Sequence, residues 1–367
     1  RHARARMRTR RAQPATHIDR VTMSSTRSPA RASARTLWER TKSALSAPAP
    51  LCAPDGEAGV WLARDEVAMG TAIRVELWCE DAARGNAAID AVMAEMHRID
   101  RTMSPHKPDS ELSRINRDAA RAPVALSNEM FVLLVQAQRF SQFSQGAFDI
   151  TYASAGCLYD YRDGVAPSAA ALEQGRAAIG WKNLELDART RSVRFTRPGM
   201  RIDLGGFAKG HAVDNAATIL MRHGIRHAHV AAGGDSRVIG DKRGRPWTIG
   251  VRDPRQADGL AALLPLEDTA ISTSGDYERF FEKNGVRHHH IVDPATGASP
   301  SSVRSVTVLA PDGLTCEALS KTVFVLGAER GMELVESVEG VDAIVVDAAG
   351  ELHFSSGMSA GRTPARH

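Results

Sequence analysis

Four short runs of the chain set side chains of reactive type beside glycine or at a helix start. Asp203-Leu-Gly-Gly-Phe-Ala-Lys-Gly210 follows a strand-like stretch and opens a helix-like one. Adjacent glycines let a backbone approach a ligand closely, and the amides of a helix N-terminus favour phosphate. Lys209 adds a point charge suited to a phosphoryl oxygen. The spacing is neither G-x-G-x-x-G nor G-x-x-x-x-G-K-[ST], so neither of those nucleotide folds is supported, and a plain strand-to-helix turn is the competing reading. Ala232-Gly-Gly-Asp235 ends a second strand, where a glycine pair serves as a turn or as backbone against a flat ligand. His290-Ile-Val-Asp-Pro-Ala-Thr-Gly297 offers an imidazole that works as a base near neutral pH, followed by good turn chemistry. In Cys316-Glu-Ala-Leu-Ser-Lys-Thr322, Glu317, Ser320 and Lys321 fall at i, i+3 and i+4 and share one helix face, as an exposed ion pair or as a polar cluster at a ligand.

Elements able to hold these runs are legible around them. Met69–Leu77 alternates apolar and polar residues and predicts a strand; Ile89, Val92, Met93, Met96 and Ile99 predict an amphipathic helix. A second helix is predicted over Asn128–Phe143, and a third from Ala208 to His223, stopped by Gly224. Val193 and Phe195, a Pro198-Gly199 turn, then Met200 and Ile202 suggest a hairpin. Further strands are expected at His227–Ala231, Thr248–Arg252, Tyr277–Lys283, Val286–Val292, Ser305–Leu309 and Ala343–Val346, with a helix over Cys316–Leu326. Asn284-Gly285 supplies the two positive-φ residues of a type I′ turn between two of those strands. Alternation along that hairpin sends His289 to the opposite face from His290. Strands joined by both hairpins and helices predict an α+β protein with a mixed sheet rather than a doubly wound one.

The 367 residues, 43% hydrophobic and 25% charged, fit an ordinary globular protein with a sizeable core. No apolar run approaches the ~18 residues of a membrane-spanning helix. The net charge of +4 invites a nucleic-acid reading, but residues 1–50 hold twelve Lys and Arg against two acids, and the rest holds 35 bases against 41 acids. The excess therefore belongs to a tail, expected to be disordered or a targeting segment over residues 1–60, and nucleic acid is not an expected partner. That tail has no apolar h-region, and nothing follows Arg10-Arg11 that a twin-arginine signal needs, so compartment stays open. A domain is expected over residues 61–357, with a short disordered tail after it. Cys52, Cys79, Cys157 and Cys316 lack any metal spacing and read as scattered reduced thiols.

The runs taken together, in this order, resemble the ApbE family of FAD:protein FMN transferases. The likeness spans about Met69 to Ala349 and also takes in Met69-Gly-Thr, the stretch from Met103 to Asn116, Gly146-Ala-Phe-Asp-Ile-Thr151 and Thr273-Ser-Gly-Asp276. It implies a T-fold-like architecture with the flavin between lobes. It further implies transfer of FMN from FAD to a Thr or Ser hydroxyl of an acceptor protein, with AMP released and magnesium assisting. By the same match His290 is the expected base, with Lys209 beside the phosphoryl oxygens. Met69, Ala147, Phe148, Asp149, Asp203 and Ile291 are expected to line the FAD site, and His106 stands where many members carry a Tyr beside the flavin. An FAD-binding carrier with a decayed metal site and an FAD pyrophosphate hydrolase are the alternatives. The metal site is where the chain departs: the family's Asp and final Thr ligands are here Glu317 and Lys321. Either Glu317, Ser320, waters and the Gly206 region suffice for magnesium, or Lys321, which has no lone pair to offer, stands in as a fixed charge.

Overall fold

The computed structural model describes residues 59–256 and 259–359, so the two expected tails lie almost wholly outside the described residues. Period-two alternation sorts the strands into one dominant sheet. The strands are β1 (Val60–Ala68), β2 (Thr71–Cys79), β3 (Val124–Ala125), β4 (Leu184–Asp187), β5 (Ser192–Phe195), β6 (His227–Ala232), β7 (Asp235–Ile239) and β8 (Trp247–Arg252). They continue with β9 (Leu260–Leu266), β10 (Ala270–Gly275), β11 (Phe280–Lys283), β12 (Val286–His289), β13 (Val303–Ala310), β14 (Asp342–Asp347) and β15 (Leu352–Phe354). The large sheet runs β1-β2-β6-β7-β10-β13-β14-β15, with every neighbour antiparallel. What is mixed is helix with strand, not strand direction.

Seven helices of eight residues or more complete the described chain: α1 (Ala82–Met103), α2 (Glu111–Asp118), α3 (Asn128–Phe143), α4 (Ala169–Ala178), α5 (Ala208–Arg222), α6 (Gly313–Leu326) and α7 (Ala328–Glu336). One face of the large sheet carries helices in the order of the strands below them. α1 lies over β1 and β2, α5 over β6 and β7, α6 over β10 and β13, and α7 over β14. Ala270, Val306, Val308, Ala343 and Val345 point into this helix layer, while their neighbours Ile271, Leu309 and Ile344 point the other way, against Trp247, Val251, Leu264 and Leu266 of the β8–β9 ribbon. Between α1 and α5 the chain inserts α2, α3, α4 and the small sheet β3-β5-β4, whose Leu112, Ile115, Val193 and Phe195 join the core of the first half.

Most predicted elements lie where the pattern placed them, and α3 matches its prediction end to end. Asn284 and Gly285 both have positive φ, 54° and 75°, between β11 and β12. The hairpin expected around Pro198-Gly199 is not formed. β5 pairs instead with β4 and β3, and residues 200–203 belong to no strand. Asn116 stands in for a strand partner: its side chain takes the Ile202 N–H at 2.7 Å and donates to the Ile202 carbonyl at 2.9 Å. The Asp203 run therefore follows a segment anchored by a side chain, not a strand. Two expected strands are shorter, since β11 starts at Phe280 and β12 ends at His289.

Candidate active site

Two cavities open beside the helix layer, of about 410 and 710 Å³, sizes ordinary for small-molecule sites. The smaller is walled by Ala147, Phe148, Asp149, Tyr152, Gly206 and Ile291 among others. The larger is walled by Met69, Lys209, Gly233, Gly234, Ser274 and Tyr277 among others. They meet at a junction: Pro105, His106, Asp203, Gly205, Arg279, His290 and Lys321 line both. Every residue expected at the FAD site thus lines one cavity or both, as do Lys209, Gly206 and Lys321. Glu317 and Ser320 line neither and are fully buried.

Local chemistry fixes the walls. Met69-Gly70 is the two-residue turn of the β1–β2 hairpin, with φ of 53° and 68°, and it carries Met69 to the rim of the larger cavity. Gly233 (φ 63°) and Gly234 make the corresponding turn between β6 and β7, and a Cβ on Gly233 would strike Thr71 Oγ1 at 2.6 Å. Asp149 binds backbone rather than pointing free into the cavity: it accepts from Thr151 N–H and Trp181 N–H, each at 2.8 Å. Burial holds its carboxyl above the ordinary aspartate value. Asp203 accepts from the Gly205 amide and, at 3.3 Å, from the Tyr152 hydroxyl. Two amides of the glycine run are accordingly engaged by carboxylates, Gly205 by Asp203 and Gly210 by Glu317 at 2.8 Å, rather than left to a phosphate.

His290 sits just past β12, its N–H bonded to the Arg279 carbonyl at 3.0 Å. Its Nδ1 is buried and has no hydrogen-bond partner among the described residues. Burial, and after it the positive charge of Lys321, push its pKa down to about 3, so the ring is neutral and binds a proton only weakly until negative charge comes close. His289 turns away, bonded through Nε2 to the Pro300 carbonyl at 2.8 Å and packed on Phe324, while His288 stacks on Phe281. The three histidines are no metal tract.

Under the junction lies a charged cluster. Lys209 Nζ donates to Asp235 and, at 2.5 Å, to Glu317 Oε1. Burial presses on this ammonium, yet the two carboxylates carry its pKa above the ordinary lysine value. Lys209 is therefore an internal counter-ion as well as a cavity wall. It can stand so close to Glu317 because α5 and α6 touch backbone to backbone: a Cβ on Gly210 would lie 2.3 Å from the Gly313 carbonyl oxygen. Lys321 Nζ donates to Ser274 Oγ at 2.7 Å. Burial and the Lys209 charge hold its pKa below the usual lysine range. Ser320 Oγ lies 2.8 Å from Ser274 Oγ and 3.1 Å from Ser272 Oγ, and Ser272 reaches Asp235 Oδ1 at 2.5 Å.

Arg279 escaped the sequence reading, although a signal for it was present. Counting pairs outward from Asn284-Gly285, Lys283 faces Val286 and Phe280 faces His289, so the next position opposite His290 is Arg279. Asp235, Ser272 and Ser274 were invisible as a group, because their meeting depends on the order of β7 and β10 in the sheet.

The profile of the ApbE family matches residues 69–345. An FAD:protein FMN transferase of Treponema pallidum is 32% identical over 314 residues, covering 80% of this chain and 87% of the relative. One from Vibrio cholerae is 35% identical over 256 residues, 68% of this chain and 75% of the relative. Among solved structures, the ApbE protein of Thermotoga maritima superposes with a TM-score of 0.76 at 32% identity, over 83% of this chain and all of that one. The flavin transferase ApbE of Vibrio cholerae does so with a TM-score of 0.74 at 29% identity, over 82% of this chain and 98% of that one.

Proposed function

The chain belongs to the ApbE family, and from that premise we propose that it is an FAD:protein FMN transferase, moving FMN from FAD to a Thr or Ser hydroxyl of an acceptor flavoprotein and releasing AMP. The observation that carries the reading is the junction. FAD is two nucleotides joined by a pyrophosphate, and a molecule laid across both cavities brings that pyrophosphate to the residues both share: neutral His290 beside the cations of Arg279 and Lys321.

The chemistry then follows from the side chains. A hydroxyl is a poor nucleophile and needs a base as it attacks phosphorus. His290, which lines the junction as a neutral ring, takes the hydroxyl proton. A P–O bond forms to the acceptor oxygen, the bridging P–O bond breaks, and its electron pair leaves on the phosphate of AMP. Phosphoryl transfer relies on positioning and on neutralising charge that builds on the phosphoryl and leaving oxygens. Arg279 and Lys321 stand where that charge would develop. His106, at the junction, and Phe148 and Ile291, in the smaller cavity, offer flat or apolar surface to the dinucleotide. The oxygens that a magnesium ion would need are engaged by ammonium, amide and hydroxyl groups.

The test is incubation of the chain with FAD and a Thr-containing acceptor domain, read by intact mass and AMP release. An FMN-sized gain on the acceptor with equimolar AMP is expected. AMP and free FMN without a gain would mean hydrolysis, and FAD bound but uncleaved with two different acceptors would mean a carrier.

A further inference from the structure

The cation site that the family resemblance implies can be tested atom by atom. Magnesium demands close to octahedral oxygen coordination at about 2.0–2.1 Å. Of the four carboxylate oxygens nearby, Glu317 Oε1 accepts from Lys209 Nζ and Oε2 from the Gly210 amide. One oxygen of Asp235 accepts from Lys209 and the other from Ser272. Ser320 Oγ is held among Ser272, Ser274 and the Glu317 carbonyl. Neither Glu317 nor Ser320 reaches a cavity, and Asp235, which lines the larger one, has both oxygens engaged. At Gly206, where a backbone ligand is expected, the stem of Lys321 lies against the chain: a Cβ there would be 3.4 Å from Lys321 Cγ and 3.6 Å from Cε. With Lys321 in place these residues do not fit a divalent cation.

The charge count says what they fit instead. Asp235, Glu317 and Lys209 together carry one net negative charge, and a neutral residue at position 321 would leave that cluster attractive to a cation. Lys321 cancels it. A doubly charged ion would then enter a neutral cluster between two ammonium groups, with little to offset the loss of its hydration shell. The Lys321 stem is packed on Gly206, its ammonium is fixed by Ser274, and the residue lines both cavities.

We propose that the Lys321 ammonium is a tethered replacement for the divalent cation, so that FMN transfer by this chain runs without metal. The inference rests on the transferase reading above. During transfer Lys321 keeps its three protons and offsets the negative charge on the leaving oxygen of AMP, while the acceptor proton goes to His290. No co-reactant is needed. Ser274 is a positioning residue: it aims the ammonium and touches no reacting atom.

Two readouts on the full chain test this. Mn2+, which carboxylate sites accept readily, is titrated into the FAD-saturated protein and followed by the electron paramagnetic resonance of the free ion. FMN transfer is timed in parallel with magnesium and with EDTA. The wild type is expected to leave the Mn2+ signal unchanged and to transfer equally fast in both lanes. Lys321→Thr should deplete free Mn2+, lose about 100-fold of its rate in EDTA, by the scale of removing one preorganised charge-stabilising donor, and regain it with magnesium. Lys321→Met, which keeps the stem without the charge, should be slow in both lanes; flavin fluorescence quenching shows for each variant that FAD is still held. Stoichiometric Mn2+ binding by the wild type, or arrest of its transfer by EDTA, overturns the proposal. If the wild type binds FAD but transfers in neither lane, the transferase reading fails, and the Mn2+ titration still decides whether Lys321 holds the cation position. Should Lys321→Thr fail to bind FAD, the wild-type titration and the two lanes decide alone.

Discussion

At the scale of single residues, the base and the cations of the junction act on each other. His290 is held down to about 3 first by burial and then by the Lys321 charge, with His289, Arg279 and Lys209 adding to it. A histidine with that pKa stays neutral through the whole physiological range, so kcat/KM, which reports the free enzyme, should show no break near the ordinary histidine value of about 6.5. Bound FAD brings negative phosphates to the same place, which favours the imidazolium. The acid limb of kcat should therefore lie at higher pH than the acid limb of kcat/KM. Lys321→Met removes the second-largest influence on His290 and should shift both limbs upward; limbs that stay in place would mean that another group titrates. His290→Ala is expected to keep FAD bound, by fluorescence quenching, and to lose transfer by a factor of about 100 to 10,000, the usual span for general acid–base catalysis. Transfer at the parent rate would remove His290 from the mechanism.

At the scale of elements, the site depends on how closely α5 and α6 cross. Gly210 and Gly313 face each other with no room for a methyl group, since a Cβ on Gly313 would lie 2.7 Å from the Gly210 carbonyl oxygen. Gly210→Ala, though favourable within an isolated helix, should wedge the helices apart at a cost of about 1–3 kcal/mol by urea unfolding, as for other overpacked contacts. It should also weaken FAD binding by loosening the Lys209–Glu317 pair. Unchanged stability would mean that the helices part freely. This crossing also marks the limit of what the sequence discloses. Hydrophobic period and turn chemistry act over a few residues, so α3, α5, α6 and the Asn284-Gly285 hairpin are legible in the chain itself. Lys209 and Glu317 lie 108 positions apart, and nothing local says that each engages the other rather than a ligand. The failed Pro198-Gly199 hairpin has the same cause. Asn116, 86 positions away, supplies the hydrogen bonds that a neighbouring strand was expected to give.

At the scale of the whole molecule, the sequence-wide charge was misleading, because the basic excess lies in the first fifty residues and the cavities are walled by the mildly acidic remainder. What acts globally is the burial of neutral histidines on the large sheet and just past the β11–β12 hairpin. His229, on β6, has its pKa pushed down to about 4, first by burial, and its Nε2 has no partner among the described residues. It lies against the Trp247 ring, with centroids 5.8 Å apart. With His290 at about 3, two groups bind a proton in the unfolded chain near pH 6.5 that they refuse in the fold. Stability rises with pH wherever the unfolded state holds more protons. Their contribution is thus fully present above about pH 6.5 and shrinks as the pH falls toward the folded values. The urea midpoint should accordingly drop steeply between neutrality and pH 5, with FAD absent. His229→Phe, which keeps an aromatic ring against Trp247 and cannot bind a proton, should flatten that slope. It should leave the pH dependence contributed by His290 in place, because His290 lies past β12 and His229 lies on β6. A wild-type midpoint that does not move with pH, or a slope that His229→Phe leaves untouched, would mean that His229 is not refused its proton by the fold.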